Sequence, residues 1–489
     1  MSDVAPPAKA GLEMPKHITR GYASYVFFIM FSINLLNYLD RYVFIGASDI
    51  VGKELHFGIQ DVGFLASAFL IVYTLGTLPL GIWADRAKRK NVVALCVTIW
   101  SLATAFTALA NSYFTLFISR MILGIGEAGY FPAGTALMSD YFSRTKRARV
   151  MSWWSTGQYV GLMIGFVAGG IIAGLYFGAW RLAFIFTGIP GLILAFLAWR
   201  LREPRRNQAD EEAAELESYS FAREAQGATE LDSQALVNEP ERAETPYASH
   251  TVPTNVLQQF GTLLRIKTLV VLIAMQVFAF FVLGANVVYL PIYLQQKNTF
   301  GLTSGQAGTF SGAVIVLAGI IGIVIGGYMA DRLNRRHPGA RVLVCGIGFL
   351  LSAPSFVLAI TLHNFIIFTM FFVLTVLLLS IYNGPSTAAT QDVVPSALRA
   401  SAVAISLLLA HLLGDAFAPA LVGILAGAFD PTGTHFAKDL AGQDLSQALL
   451  FTCPPALVIA GLIGIFGARW MKDDIAAADR ADILAKAAA

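Results

Sequence analysis

The residues able to do chemistry in this chain are charges set into its most apolar stretches. Asp40 and Arg41 interrupt the first long apolar run, Arg120 and Glu127 lie in the fourth, and His411 and Asp415 in the eleventh. A charged side chain at membrane depth is costly, and it marks a proton relay, an ion path or a substrate contact. Arg120 and Glu127 are seven residues apart, so they share one helix face about two turns (~10.5 Å) from each other. That is too far for a direct ion pair, and each must find a partner on another element. Asp40 and Arg41 are neighbours and point about 100° apart on a helix, so they cannot both face the same partner. Burial raises a carboxyl pKa and a nearby Arg lowers it, so gaining or losing an Arg would switch the proton affinity of Asp40 or Glu127. The alternative role is a set of permanent ion pairs that hold helices together. His411 and Asp415 are spaced i, i+4 on one face. Histidine titrates near neutral pH, so this pair suits proton sensing or contact with a polar head group, or else a hydrogen bond internal to the helices.

The elements that must position these groups are membrane spans. Apolar residues make up 56% of the chain and charged residues 13%, against roughly 25% charged in soluble domains. About 20 apolar helical residues cross a hydrocarbon core about 30 Å thick. Such runs are expected near 22–45, 62–84, 91–110, 113–141, 150–174 and 180–201, then 268–294, 306–330, 341–362, 365–394, 400–429 and 448–470. Loops as short as Ala110 to Tyr113 and Leu362 to Phe365 require antiparallel hairpins. Lys and Arg concentrate in alternate loops: Arg86, Lys88, Arg89 and Lys90; Arg144, Lys146, Arg147 and Arg149; Arg202, Arg205 and Arg206; Arg332, Arg335, Arg336 and Arg341. The other loops carry few, such as Lys53, Lys297 and Lys438. The positive-inside rule then places both termini in the cytoplasm. The expected domains are a tail 1–21, a six-helix bundle 22–201, a linker 202–267, a second bundle 268–470 and a tail 471–489. The first span has no small-residue cleavage signature after it and is read as retained. The linker is polar, with apolar spacing only over 256–264, a candidate interfacial helix. Cys96, Cys345 and Cys453 sit in apolar runs and read as buried small hydrophobes without disulfide or metal roles.

The two halves repeat. Gly81-Ile82-Trp83-Ala84-Asp85-Arg86 after the second span is echoed by Gly327-Tyr328-Met329-Ala330-Asp331-Arg332 after the eighth. The order Pro132…Asp140…Arg149 is echoed by Pro385…Asp392…Arg399. Two related bundles suit a substrate site at their interface near the midplane. The repeat resembles the major facilitator superfamily. Its loop signature, G-x-x-x-D-R-x-G-R-K, is met by Gly81, Asp85, Arg86, Arg89 and Lys90, with Lys88 in place of the glycine. Gly327, Asp331, Arg332, Arg335 and Arg336 form the second copy. The pattern R-x-x-x-G-x-G is met by Arg120, Gly124 and Gly126. Within the superfamily the chain is most similar to spinster-type lipid transporters. Asn37-Tyr38-Leu39-Asp40-Arg41 and Gly124-Ile125-Gly126-Glu127-Ala128 are shared with organic anion symporters as well, and His411-Leu412-Leu413-Gly414-Asp415 with Pro419 points to spinster.

The resemblance implies an all-α membrane protein of twelve transmembrane helices in two pseudo-symmetric bundles. Spans one and four would both line the first bundle's cavity, giving a crossed arrangement of Glu127 with Arg41 and Arg120 with Asp40. Asp85, Arg86, Arg89, Asp331 and Arg332 would pair across helix ends and the neighbouring bundle, gating the cytoplasmic side. Asn34, Asn37, Tyr38, Tyr159, Tyr289, Tyr293 and Asn383 are polar or aromatic candidates for the cavity. The seventh span has Asn286 but no Asp-Arg pair, which places ion coupling in the first half. Gly161, Gly165, Gly169 and Gly170 approach an antiporter pattern, but Phe166 replaces its proline, and the glycines read as close helix packing.

Other chemistries are set aside. Gly124-Ile125-Gly126-Glu127-Ala128-Gly129 fits G-x-G-x-x-G but lacks the strand before it that a dinucleotide site needs. There is no Walker sequence, C-x-x-C pair or H-E-x-x-H, so no enzyme activity, metal or cofactor is expected, and gradients rather than ATP would supply energy. The basic loops are explained by topology, and no nucleic acid partner follows. The expected protein is a monomeric multi-pass carrier of the cell (inner) membrane working by alternating access. It would couple protons through Asp40, Glu127, His411 and Asp415. Arg41 and Arg120 would meet an amphipathic anion, with lysophospholipids or sphingoid phosphates implied by the likeness. A symporter of small organic anions is the rival; a non-transporting receptor or scaffold would need no duplicated gating loop.

Overall fold

With no water inside a bilayer to satisfy backbone N–H and C=O groups, a chain this apolar has to close its hydrogen bonds within helices. The computed structural model describes residues 19–206, 208–215, 218, 256–429 and 441–487, and these are helical with no strand among them. Span one is Arg20–Leu55, span two Ile59–Arg86, span three Arg89–Thr107, span five Arg144–Ala173 and span six Trp180–Arg200. Span seven is Lys267–Gln295, span eight Ser304–Asn334, span nine Ala340–Thr361 and span twelve Ala441–Gly467. Spans four, ten and eleven are interrupted, each for a local reason.

Span four runs as Tyr113–Ala128 and Tyr130–Tyr141. Pro132 has no N–H for the carbonyl of Ala128 and its ring crowds that turn, so the helix breaks at Gly129. Span ten breaks in the same way between Phe365–Ser380 and Asn383–Asp392, where Pro385 follows Ile381 by four residues. Span eleven joins Arg399–Ala410 to Ala418–Phe429 through a π turn, His411–Asp415, closed by Ala416 N–H donating to His411 O at 3.0 Å. Eleven helices among the described residues are long and apolar enough to cross a bilayer, and the broken span four is the twelfth crossing.

Two expected boundaries move. Span one continues ten residues past 45 because its polar end is satisfied locally: Ser48 Oγ donates to Ile45 O, and Lys53 pairs with Asp49 one turn back. It stops at His56, whose φ of 57° is left-handed. The stretch after 470 is a helix, Met471–Ala487, tied to its bundle by Asp474, which accepts from Thr268 N–H at 2.7 Å, and by Asp482, which accepts from Ser396 N–H at 3.0 Å. The anticipated linker helix forms as Val256–Leu263, and Ser401 Oγ donates to Gln259 on it. Residues 1–18, 219–255 and 430–440, including Lys438, lie outside the described residues.

Each half packs its six spans in the same way: one against five and six, three against four and six, and two against four, matched by seven against eleven and twelve, nine against ten and twelve, and eight against ten. Glycines set the closest approaches. A Cβ at Gly165 of span five would stand 2.8 Å from Leu39 O, and one at Gly46 of span one 2.6 Å from Phe166 O. Between the halves, span five meets span eight and span two meets span eleven. Leucine at Gly46 must push spans one and five apart, an overpacking cost of about 1–3 kcal/mol. Thermal unfolding of Gly46→Leu in detergent should show a transition several degrees below wild type.

Candidate functional site

Along span one, Asp40 and Arg41 diverge into two environments. Arg41 reaches span four, where its Nη2 donates to Glu127 Oε2 at 2.6 Å and its Nε to the same oxygen at 3.2 Å. The rings of Tyr38, Phe69 and Tyr73 stand 5.1, 4.9 and 4.8 Å from the guanidinium, an aromatic cage for a cation. Glu127 is fully buried, its second oxygen Oε1 is unpaired, and the Asn37 amide lies beside it. Asp40 turns the other way, into the bundle. It is 1% exposed, neither carboxylate oxygen has a hydrogen-bond partner in bonding geometry among the described residues, and the hydroxyls of Thr104 and Thr187 face it from spans three and six.

The crossed arrangement therefore forms by half. Glu127 pairs with Arg41 as expected. Arg120 does not pair with Asp40; its guanidinium lies over the rings of Phe44 at 4.3 Å and Phe184 at 5.4 Å, with Nε unpaired. Helix spacing placed Arg120 on the right face but said nothing of the aromatic rings that occupy the space towards span one.

A cavity of about 360 Å³ lies between the bundles. Tyr38, Arg41, Arg120 and Tyr159 line it from the first bundle, and Asn383, His411 and Asp415 from the second. Much of the remaining wall is apolar, including Phe69, Leu162, Phe280 and Ile315. His411 Nδ1 sits 2.9 Å from Asp415 Oδ2, and its ring stands edge-on to Phe280 with centroids 4.8 Å apart. The π turn and two glycines shape this wall: Gly284 packs on Asp415 and Gly414 on the backbone of span seven at Val277. π turns of this kind recur at functional positions.

Other candidates fall elsewhere. Asn34 donates to Trp154 O at 2.8 Å, a strut between spans one and five away from the cavity. Tyr289 is buried and donates to Pro419 O at 2.6 Å, next to Ile59 O at 3.3 Å, so it ties spans seven, eleven and two together. Tyr293 packs on Phe300 and Phe368. Asn286 returns its amide to Val282 O within span seven. Residues that sequence reasoning missed include Phe69, Tyr73, Phe44, Thr104 and Thr187; single aromatics or threonines in a span carry no signal that separates them from packing.

The loop residues lock each bundle internally. Arg89 forms a buried ion pair with Asp140 of span four, and Glu203 accepts from the N–H groups of Arg89 at 2.8 Å and Lys90 at 3.0 Å. In the second half Arg341 pairs with Asp392 and, at 3.3 Å, with Asp331. Both locks thus join a basic loop residue to the Asp that follows the span-breaking proline. The repeat of Pro132…Asp140 with Pro385…Asp392 was the signal for them. Arg147 rather than Arg149 matches Arg399, since each donates from Nε to a carbonyl five residues back. Arg86 is exposed, and Arg332 is exposed and donates to Tyr328 OH at 3.2 Å. The side chain of Asp85 lies outside the described residues. The expected pairing across the bundles is thus not what these ion pairs do here. Contacts between the bundles lie on the face opposite the basic loops, where Ser304 Oγ donates to Gly46 O at 3.4 Å and Ala420 N–H to Ser67 Oγ at 3.1 Å.

Two six-helix bundles of matching topology around a central polar-and-apolar cavity define a membrane carrier. The sequence profile of the Major Facilitator Superfamily matches residues 30–419, and the chain belongs to that superfamily. It is similar to Protein spinster homolog 1 of Xenopus tropicalis, 25% identical with 90% of this chain and 78% of the relative covered. It is likewise similar to Protein spinster homolog 3 of Danio rerio, 26% identical over 91% and 85%. Among solved structures it resembles a bacterial homologue of the human lysosomal transporter spinster in an inward-facing, unoccupied conformation, with TM-score 0.73, 22% identity and coverage of 94% and 98%. It also resembles a D-xylose–proton symporter, at TM-score 0.60, 16% identity and coverage of 92% and 97%.

Removing one partner of a buried ion pair strands the other, at a cost of about 3–5 kcal/mol. Asp140→Asn should therefore lower the thermal transition of the detergent-solubilised protein markedly. Asp331→Asn, whose carboxylate is mostly exposed, should shift it little.

Proposed function

We propose that the protein is a proton-linked secondary carrier that moves an amphipathic anionic lipid, such as a lysophospholipid or sphingoid phosphate, by alternating access. The observation that carries this reading is the cavity wall: two arginines set in a lining most of whose side chains are apolar. Arg41 and Arg120 suit an anionic head, and the apolar remainder suits a chain. The polar groups of the wall, among them Gln158, Asn383 and His411, suit a head group, and its apolar majority would have no counterpart in a small carboxylate. The likeness to spinster proteins supports the same choice.

The coupling groups are Glu127 and Asp40. Arg41 is the only ionic partner of Glu127 among the described residues. An anion drawing Arg41 towards the cavity would weaken that pair, and Glu127 would answer by taking up a proton. Asp40 has no ion-pair partner among the described residues and lies beside the hydroxyls of Thr104 and Thr187, so no cation there holds it as the carboxylate. Protonated, it could donate to Thr104 or Thr187. His411 and Asp415 face the same cavity from the second bundle and would meet the head group or relay protons there. By the positive-inside rule the end carrying the basic loops, and with it both termini, would be cytoplasmic. The seal at Ser304 and Ala420 then lies outward, with the cavity directed to the cytoplasm, and the Arg89 and Arg341 locks hold the two bundles as separate rigid bodies at the cytoplasmic gate.

The test is flux in proteoliposomes containing purified protein, with and without a pH gradient, for a lysophospholipid and for a sugar acid. Lysophospholipid flux that rises with the gradient is expected; gradient-driven sugar-acid uptake without lipid flux would select the organic-anion reading instead. Glu127→Gln loses the charge-assisted bond to Arg41 and should reduce gradient-driven flux by at least about tenfold. If flux and its pH dependence persist in that variant at equal protein content, coupling through Glu127 is wrong. Arg41→Lys keeps the charge but loses the planar fork and ring stacking, and it should raise the half-saturating substrate concentration more than it lowers the maximal rate.

A further inference from the structure

Away from the central cavity, a continuous groove runs up the outer surface of spans three and six. Its membrane-facing part, about 550 Å³, is lined by Trp83, Leu95, Thr98, Leu192, Phe196 and Trp199. At the loop end it opens into a second recess of about 380 Å³, lined by Lys88, Lys90, Asn91, Trp199 and Arg200. Asn91 and Trp199 belong to both recesses, so the apolar trough and the basic mouth form one feature. The trough is not buried core: Leu95 is 46% exposed, and Phe196 and Trp199 are 56% exposed.

The three cations at the mouth differ in what they already do. Lys90 Nζ donates to Leu201 O at 2.6 Å and Trp199 O at 3.2 Å, capping the end of span six. Lys88 and Arg200 are exposed and make no ion pair among the described residues, and Arg200 rests over the Phe196 ring at 5.8 Å. Glu203, the nearby acid, is occupied by the N–H groups at the start of span three. Trp83 and Trp199 supply the amphipathic rings that mark headgroup depth.

We propose that this groove binds one anionic phospholipid of the leaflet on the basic-loop side. The phosphate lies between Lys88 and Arg200, Asn91 meets the glycerol or headgroup hydroxyls, and an acyl chain lies along Leu95, Leu192 and Phe196. Basic recesses between transmembrane helices favour anionic over zwitterionic head groups by charge. The apolar trough continuous with the mouth selects a lipid over a soluble phosphate. This site is separate from the carrier cavity and does not depend on what the carrier moves.

Native mass spectrometry of the full-length protein in detergent, titrated with phosphatidylglycerol or phosphatidylcholine of equal chain length, tests it. One phosphatidylglycerol should be retained in preference to phosphatidylcholine. Lys88→Gln combined with Arg200→Gln should weaken its retention by about tenfold or more, whereas Arg335→Gln with Arg336→Gln, at the matching exposed loop of the other half, should not. Leu95→Trp, which fills the trough and leaves the cations, should also weaken it, so the outcome does not hang on one variant's folding. Equal loss in the Arg335/Arg336 control, or undiminished retention in the Lys88/Arg200 variant, overturns the proposal. Displacement of the lipid by glycerol 3-phosphate at comparable concentration would show a soluble-phosphate site and overturn it as well.

Discussion

The ion pair between Arg41 and Glu127 is the constraint around which the first bundle is arranged. A lone charge at membrane depth costs several kcal/mol or more, and a pair is tolerable only when its partners are held at hydrogen-bond distance. Here one partner comes from span one and the other from span four, so those spans have to meet at that depth. Span two joins them because the guanidinium needs covering on its faces, and Phe69 and Tyr73 provide the rings. Span five is then pressed against span one by glycines whose absent side chains let Leu39 and Phe166 carbonyls approach. The next residue back, Asp40, is turned by helix geometry towards spans three and six. One dipeptide thus serves both the cavity and the interior of the bundle, and the angle between neighbouring helical residues is what separates the two roles.

The duplication shows which interactions a six-helix unit needs for itself and which belong to the specialised half. Both halves keep a proline that breaks the fourth span of the unit, an Asp after it, and an Arg from the loop between the unit's second and third spans that pairs with that Asp. A lock of this kind fastens the end of a broken helix to the neighbouring span in each bundle. An Asp-Arg dipeptide on the unit's first span, with a glutamate on its fourth, occurs only in the first unit. The second unit has Asn286 on span seven, with its amide turned back to its own helix, and it contributes His411 and Asp415 from a π turn instead.

Much of this was legible before any coordinates. The span count follows from hydropathy, whereas the breaks at Pro132 and Pro385 inside the fourth and tenth spans appear only in the structure. The seven-residue gap shows that Glu127 cannot use Arg120, and the family likeness supplies span one, with Arg41, as the place to look for its partner. What spacing could not decide was the occupant of the space beside Arg120, because a phenylalanine that stacks on a guanidinium has the same hydropathy as one that faces lipid. Asn34 and Tyr289 show the same limit from the polar side. Each is a polar group in a span and so a candidate for the cavity, yet each is satisfied by a backbone carbonyl of a neighbouring helix. The loop arginines were read as a gate between bundles because their charges were visible and their partners were not; Asp140 and Asp392 were in the repeat, but only the packing shows that they turn inward.

The positions of seal and locks limit how the two halves can move. Span five on span eight and span two on span eleven are the same contact under the pseudo-twofold relation of the halves, so a rocking motion about an axis between them loosens or tightens both together. The contacts of that seal are backbone approaches at Gly170, Gly308 and Gly63 and hydrogen bonds through Ser304 and Ser67, which part without stranding a charge. The locks at Arg89 and Arg341 are ion pairs within single bundles and need not break in such a motion. In the motion proposed, the expensive interactions would stay intact while the cheap ones exchange. The Arg41–Glu127 pair would be the exception, because Arg41 forms part of the cavity wall between the bundles. Like the His411–Asp415 contact on the opposite wall, it is an interaction whose geometry an occupant of the cavity could alter directly, and under the proposed function it would be a point where binding and movement depend on each other.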